Sequence, residues 1–124
     1  MKLEALVGGG AEVVGPEASL RELAQSMTKT GVGSVGVVDG HALVGILTER
    51  DVMRAVSEDA DLSLEKARDW MTEPDVFAPD VDVEEAATWL LETGYRHLPV
   101  MDGNELLGIA SIRDLLWAIV EGNE

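Results

Sequence analysis

Shifted by 63 positions, this chain lies over itself. Residues 31–56 read GVGSVGVVDGHALVGILTERDVMRAV, and residues 94–119 read GYRHLPVMDGNELLGIASIRDLLWAI. Ten of these 26 ungapped pairs are identical, among them Gly31/Gly94, Asp39/Asp102, Gly40/Gly103, Gly45/Gly108, Arg50/Arg113 and Asp51/Asp114. Average residue usage would give about two. Pro16 and Pro79 keep the same shift. In 124 residues such a duplication constrains the fold more than any local motif. Each copy of about 50 residues is too small to bury a core alone, so two copies must share one.

Both copies predict the same order of elements. A short β-rich segment comes first, Val13-Val14 in copy one and Val76-Phe77 in copy two. A helix follows, with apolar residues at i, i+3, i+4 and i+7: Leu20, Leu23, Ala24 and Met27, then Val83, Ala86, Ala87 and Leu90. Ser19 is a natural N-cap with Glu22 three residues on. Gly31 and Gly94 end the helices, because glycine takes the left-handed conformation cheaply. Two strands come next, Val35–Val38 with Leu43–Leu47 and Leu98–Met101 with Leu106–Ala110, each pair joined at an Asp-Gly hairpin signal. A closing helix in copy two carries the stripe Ile112, Leu115, Leu116, Ile119 and Val120. The expected fold class is therefore α/β (α+β): tandem β-α-β-β-α repeats, packed sheet to sheet with pseudo-two-fold symmetry. The first two strands of each repeat should be parallel and the hairpin antiparallel. The expected division is 1–57 for the first repeat with an N-terminal lead-in, 58–73 for a linker helical around Leu64 to Trp70, and 74–124 for the second repeat. The glycines at 8–10 read as a flexible lead-in.

Composition removes several function classes. Nine basic against 24 acidic residues give a net charge of −15. Such a surface repels nucleic acid and anionic lipid, whose binding rests on Lys and Arg neutralising phosphates. Both a salt-adapted cytosol and ordinary solubility select it. No apolar run approaches the roughly 20 residues of a membrane span, and no signal-peptide core is present. There is no cysteine, hence no disulfide framework, thiolate metal site or thiol nucleophile. A cytoplasmic location is expected. VGGG at 7–10 is not followed by Gly-Lys-Ser/Thr and is no P-loop. The two histidines, His41 and His97, stand 56 residues apart, so neither a catalytic residue nor a metal site is expected, and no enzyme.

The repeat, the segment RHLPV (Arg96 to Val100) and the paired hydroxyl-x-x-acid endings, Thr48 to Asp51 and Ser111 to Asp114, together resemble the CBS domain, named for cystathionine β-synthase. Two tandem copies resemble a CBS pair, or Bateman module, over roughly residues 10–120. Asp69–Thr72 (DWMT) is similar to the D-x-M-T lead-in that often precedes such a repeat. The resemblance implies a regulatory module that binds an adenosine nucleotide or adenosyl compound of the AMP/ADP/ATP class in clefts between the repeats. It implies no cofactor beyond that ligand.

On this resemblance Asp114 and Asp51 are the ribose ligands, since an ionised carboxylate accepts from both hydroxyls of a diol. Ser111 and Thr48 sit where free helix N–H groups favour a phosphate, and Arg113 and Arg50 add positive charge. Val76, Leu98 and Pro99 in copy two, and Val13, Val14 and Val35 in copy one, would face the adenine, with Thr72 a further candidate. Arg96 and His97 fall where phosphate- or adenine-contacting side chains often lie. Read alone, His97 is equally a packed or rim histidine. The hydroxyl-acid pairs are equally plain helix starts, a hydroxyl N-cap with an acid at N3, and the two uses employ different lone pairs.

Copy one departs from the pattern. Gly36 stands opposite Pro99, and Gly33-Ser34 opposite Arg96-His97. The site on copy two's side chains is therefore expected to be the better one. The net charge favours AMP, adenosine or S-adenosylmethionine over magnesium-free ATP. Trp89 lies about 130° from the centre of its helix stripe, and Trp117 is similarly off-phase. The two tryptophans therefore suggest interface anchors and a homodimer. The leading expectation is a stand-alone sensor that reports to an unknown effector protein. The alternative is a dimerising structural module with no physiological nucleotide.

Overall fold

The computed structural model describes residues 1–122. Among them are two small sheets and five α-helices, a mixed α+β chain. The chain packs as two compact units, Glu12–Pro74, and Met1–Ala11 together with the chain from Asp75 onward. Each unit holds one repeat.

In the unit Glu12–Pro74 the elements are β1 (Val13–Val14), α1 (Leu20–Thr30), β2 (Ser34–Asp39), β3 (Ala42–Thr48), α2 (Glu49–Ser57) and α3 (Ala67–Trp70). The sheet order is β1-β2-β3, with β1 parallel and β3 antiparallel to β2. Ser19 caps α1 by accepting from the Glu22 N–H at 3.2 Å. Gly31 ends it at φ 74°, donating to the Met27 carbonyl at 2.8 Å. The expected stripe faces inward: Leu20, Leu23 and Met27 are buried with Val35, Val37, Leu47, Ala55 and Ala67. Burying each such aliphatic side chain is worth about 1.5–3 kcal/mol for the larger residues.

The second unit contains a 3-10 turn (Leu3–Leu6), α4 (Val83–Thr93), β4 (His97–Asp102), β5 (Glu105–Ser111) and α5 (Ile112–Gly122). Its core joins Leu3 and Val7 to Val83, Ala86, Leu90, Leu98, Val100, Ala110, Leu115 and Ala118. The strand expected at Val76-Phe77 shrinks to one parallel bridge between Phe77 and Val100. The cause is visible in the alignment of the copies. In copy one the Gly36 N–H donates to the Glu12 carbonyl at 2.9 Å. Its counterpart Pro99 has no N–H to donate. Both hairpins turn on Gly40 (φ 65°) and Gly103 (φ 59°). Both carry a register shift at the same place, between Val37 and Val38 and between Val100 and Met101.

The segments between the repeats' own elements are exchanged relative to chain order. The linker packs on the repeat that precedes it: Leu20 N–H donates to the Glu65 carbonyl at 3.0 Å, and Ala67 N–H to the Ala18 carbonyl at 2.8 Å. The N-terminal segment packs on the second repeat: Leu3 N–H donates to the Val81 carbonyl and Val83 N–H to the Met1 carbonyl, both at 2.9 Å. The two segments correspond. Bridges Ser19–Lys66 and Lys2–Asp82 are equivalent, and Leu3 and Ala67 are both fully buried. DWMT, read from sequence as a lead-in to copy two, thus serves copy one. Val7, next to the glycines read as a flexible lead-in, is a core residue of the other unit.

Two further expectations are corrected. On α5 the buried residues are Leu115 and Ala118, while Ile112, Leu116, Trp117 and Val120 are exposed. Trp89 is no free anchor: it packs on the core, edge to face with Phe77 at 5.0 Å between centroids and 5.5 Å from Tyr95. Trp117 alone of this pair lies open.

Candidate functional site

Both hydroxyl-acid pairs sit where a sheet strand turns into a helix. β3 ends at Thr48 and α2 starts at Glu49; β5 ends at Ser111 and α5 starts at Ile112. The same anchor fixes each junction. The first helical N–H, of Glu49 or Ile112, donates to the carbonyl of Gly33 or Arg96, at 3.1 and 2.8 Å. Across the hairpins Ser34 stands opposite Thr48, and His97 opposite Ser111.

The acids close capping boxes, with Asp in the place usually taken by Glu or Gln. Asp114 Oδ2 accepts from the Ser111 N–H at 2.9 Å, while the Asp114 N–H donates to Ser111 Oγ at 3.1 Å. Asp51 Oδ2 accepts from the Thr48 N–H at 2.9 Å and from Thr48 Oγ at 3.3 Å. Each box uses one carboxylate oxygen and leaves Oδ1 outside it. The plain helix-start reading is therefore met in both copies. The second oxygen is the one each box leaves over.

That second oxygen has different surroundings in the two repeats. Asp51 Oδ1 lies 3.6 Å from Arg54 Nη2, one turn on along α2, and the Asp51 side chain is only 13% exposed. The Arg54 guanidinium lies 5.2 Å over the ring of Trp70. Trp70 in turn donates its indole N–H to Glu65 Oε2 at 3.0 Å. Asp114 is exposed and has no ion pair among the described residues. At the 63-residue shift Arg54 corresponds to Trp117, so the cation is missing by sequence. Sequence reasoning passed over Arg54 and Trp70. The signal was present as the Arg54/Trp117 mismatch within an otherwise matching helix.

The remaining expected residues fall as follows. Arg50 and Arg113 are exposed, one residue before each acid. Leu98 and Val35 are fully buried in their own unit's core, so their backbone groups, not their side chains, are what they can offer a ligand. Pro99 is also buried. Val13 and Val76 are about half exposed and Val14 half-buried, as is His97; Arg96 is exposed. Thr72 belongs to the unit Glu12–Pro74, where it exchanges backbone bonds with Ile46 at 2.9 and 3.0 Å. Among the described residues no group of three His, Asp or Glu side chains is disposed to hold a metal ion, and no helix is long and apolar enough to cross a membrane.

The sequence model of the CBS domain matches this chain twice, over residues 11–58 and 67–121. A 17.7 kDa protein of Acidianus ambivalens is 40% identical over 114 residues, covering 88% of this chain and 67% of the relative. The structure of a signal-transduction protein with CBS domains from Burkholderia ambifaria superposes with a TM-score of 0.91 at 26% identity, covering 100% of this chain and 97% of the other. A CBS domain protein of Pyrobaculum aerophilum, solved complexed with AMP, has a TM-score of 0.86 at 25% identity, covering 98% and 99%. A repeat legible in the residues, a β-α-β-β-α unit built twice and a family match over both copies converge: this chain belongs to the CBS domain family and carries two copies of the domain.

Proposed function

We propose that this chain is a regulatory module that binds an adenosine nucleotide or adenosyl compound and passes its bound state to a partner protein. The observation that carries the reading is the repeated capping-box acid. In each copy a carboxylate is held at a helix entrance by one oxygen, leaving the other for a sugar hydroxyl. Asp114 is the stronger of the two because it is exposed and has no ion pair among the described residues. The Pyrobaculum relative complexed with AMP supports the ligand class. Arg113 beside Asp114 offers the charge that a phosphate needs. The module regulates by a ligand favouring one of two packings, and it performs no chemistry. It works in the cytoplasm, away from nucleic acid and membrane.

A thermal-shift panel of AMP, ADP, ATP, adenosine and S-adenosylmethionine tests the reading, followed by calorimetry. A ligand at 100 times its Kd stabilises by about 2.7 kcal/mol, which for a chain this size raises the midpoint by several degrees. No shift with any of the five, at low and high salt, overturns it. Binding that survives intact in Asp114→Asn would remove Asp114 from the site.

The exposed side chains on α5, Leu116, Trp117 and Val120, with Leu91 of α4, favour a second reading that is compatible with the first: a homodimer joined through these helices. Light scattering reads the mass. Trp117→Ala is expected to shift it toward the monomer.

A further inference from the structure

We propose that Arg54 is a built-in competitor of ligand at the first repeat. Its guanidinium pairs at 3.6 Å with the one oxygen of Asp51 that the capping box leaves over, so adenosyl ligands bind the Asp51 side more weakly than the Asp114 side. The inference rests on the reading that these acids take the ribose diol, and it sets the order in which the two repeats fill.

Three observations carry it. Arg54 Nη2 lies 3.6 Å from Asp51 Oδ1, while Thr48 takes Oδ2. A diol needs acceptor capacity at Oδ1, and a guanidinium 3.6 Å away competes with it for that charge without filling every lone pair. The arginine is also held from its other side. It lies 5.2 Å over Trp70, whose indole N–H is fixed by Glu65. A cation over an aromatic face has an attraction that it forfeits on leaving. Finally, the second repeat lacks both parts. Trp117 replaces Arg54, and Leu6, at the equivalent place in the N-terminal segment, replaces Trp70. The duplicated site thus differs where its acid meets, or does not meet, a positive charge.

The test is calorimetric titration of the full chain with adenosine. Adenosine has no phosphate, so loss of Arg54 removes only the competitor. Asp114→Asn isolates the first-repeat site, and Arg54→Met is added to it, because methionine keeps an unbranched apolar stem on α2 and removes the charge. Arg54→Met is expected to tighten adenosine about two- to fivefold, the range an exposed ion pair supports. Raising the salt concentration should tighten adenosine in the Arg54 protein and not in Arg54→Met, since salt screens the pair. Equal or weaker binding by the double variant, or no adenosine binding by it at all, overturns the role of Arg54. Failure of the unaltered chain to bind either adenosine or AMP overturns the adenosyl reading itself, and the inference with it. Binding of two equal equivalents by the unaltered chain overturns the inference alone.

Discussion

Met71 lies so close over Gly45 that a β-carbon built on the glycine would stand 2.7 Å from its Cγ and 2.8 Å from its Cβ. Val7 stands over Gly108 in the same way, its Cβ at 2.8 Å and its carbonyl oxygen at 3.2 Å. Gly45 and Gly108 recur at the 63-residue shift because each is crossed by a lead-in segment, not because of a turn. Gly45→Ala and Gly108→Ala are therefore each expected to cost about 1–3 kcal/mol, as overpacking does. Denaturant melts read this directly, and an unchanged midpoint in either variant would show that its lead-in yields freely.

The N-terminal segment is core, so its removal should be felt. Leu3 is fully buried and joined by backbone bonds to the loop before α4. Leu3→Ala is expected to destabilise by about 2–5 kcal/mol. Amide exchange should locate the loss at Val83, whose N–H donates to Met1, while the amides of α1 keep their protection. Equal loosening of both units would contradict the assignment.

Capping and ligand binding can be separated at one residue. Ser111→Ala removes the hydroxyl that accepts from the Asp114 N–H and is expected to cost about 1 kcal/mol. Asp114→Asn keeps an acceptor for the Ser111 N–H, so its melting point should stay near that of the parent while nucleotide binding falls. A large loss of stability in Asp114→Asn would make the charge itself part of the cap.

The pair Lys2–Asp82, 2.9 Å apart, ties the N-terminal segment to the start of α4. The hydrogen bond from Lys2 holds the Asp82 carboxyl below its ordinary range, and the same bond holds the Lys2 ammonium above its own. A lowered acid contributes stability above its unfolded value and loses it as pH falls through the folded one. A raised amine contributes below its unfolded value and loses it as pH rises through the folded one. Asp82→Asn should therefore lower the melting midpoint slightly at neutral pH. The difference should vanish in acid below the carboxylate range and shrink in concentrated salt. Glu17, held low chiefly by Lys66 with Arg68 beside it, should behave alike on the acid side.

The sequence made the repeat and its element order legible because both are patterns of spacing. The stripe of α1, the glycine caps and the hairpins at Gly40 and Gly103 all follow from local rules. What it hid depends on partners distant in sequence. Nothing local says that LEAL at 3–6 packs on β5 and α5, since its likeness to ARDW at 67–70 lies in position and not in residues. Pro99 did announce the loss of a strand, through a missing N–H, but only once its pairing with the segment before α4 was known. At the candidate site, the capping role of the acids and hydroxyls was legible from their spacing. DWMT was read as preceding copy two, although it packs on copy one, because chain order was taken for packing order. Arg54 went unnoticed because its meaning lies in a ring 16 positions away.

The exchanged lead-ins have a practical consequence for anyone dissecting the molecule. A clone cut at the repeat boundaries, 1–57 or 74–124, would carry one half-module stripped of its own closing segment and, in the first case, burdened with its sibling's. A gene that rejoins Asp75 onward to Met1–Ala11 through a short tether would instead encode a half with its own closing segment, and Glu12–Pro74 already has its own as it stands in the chain.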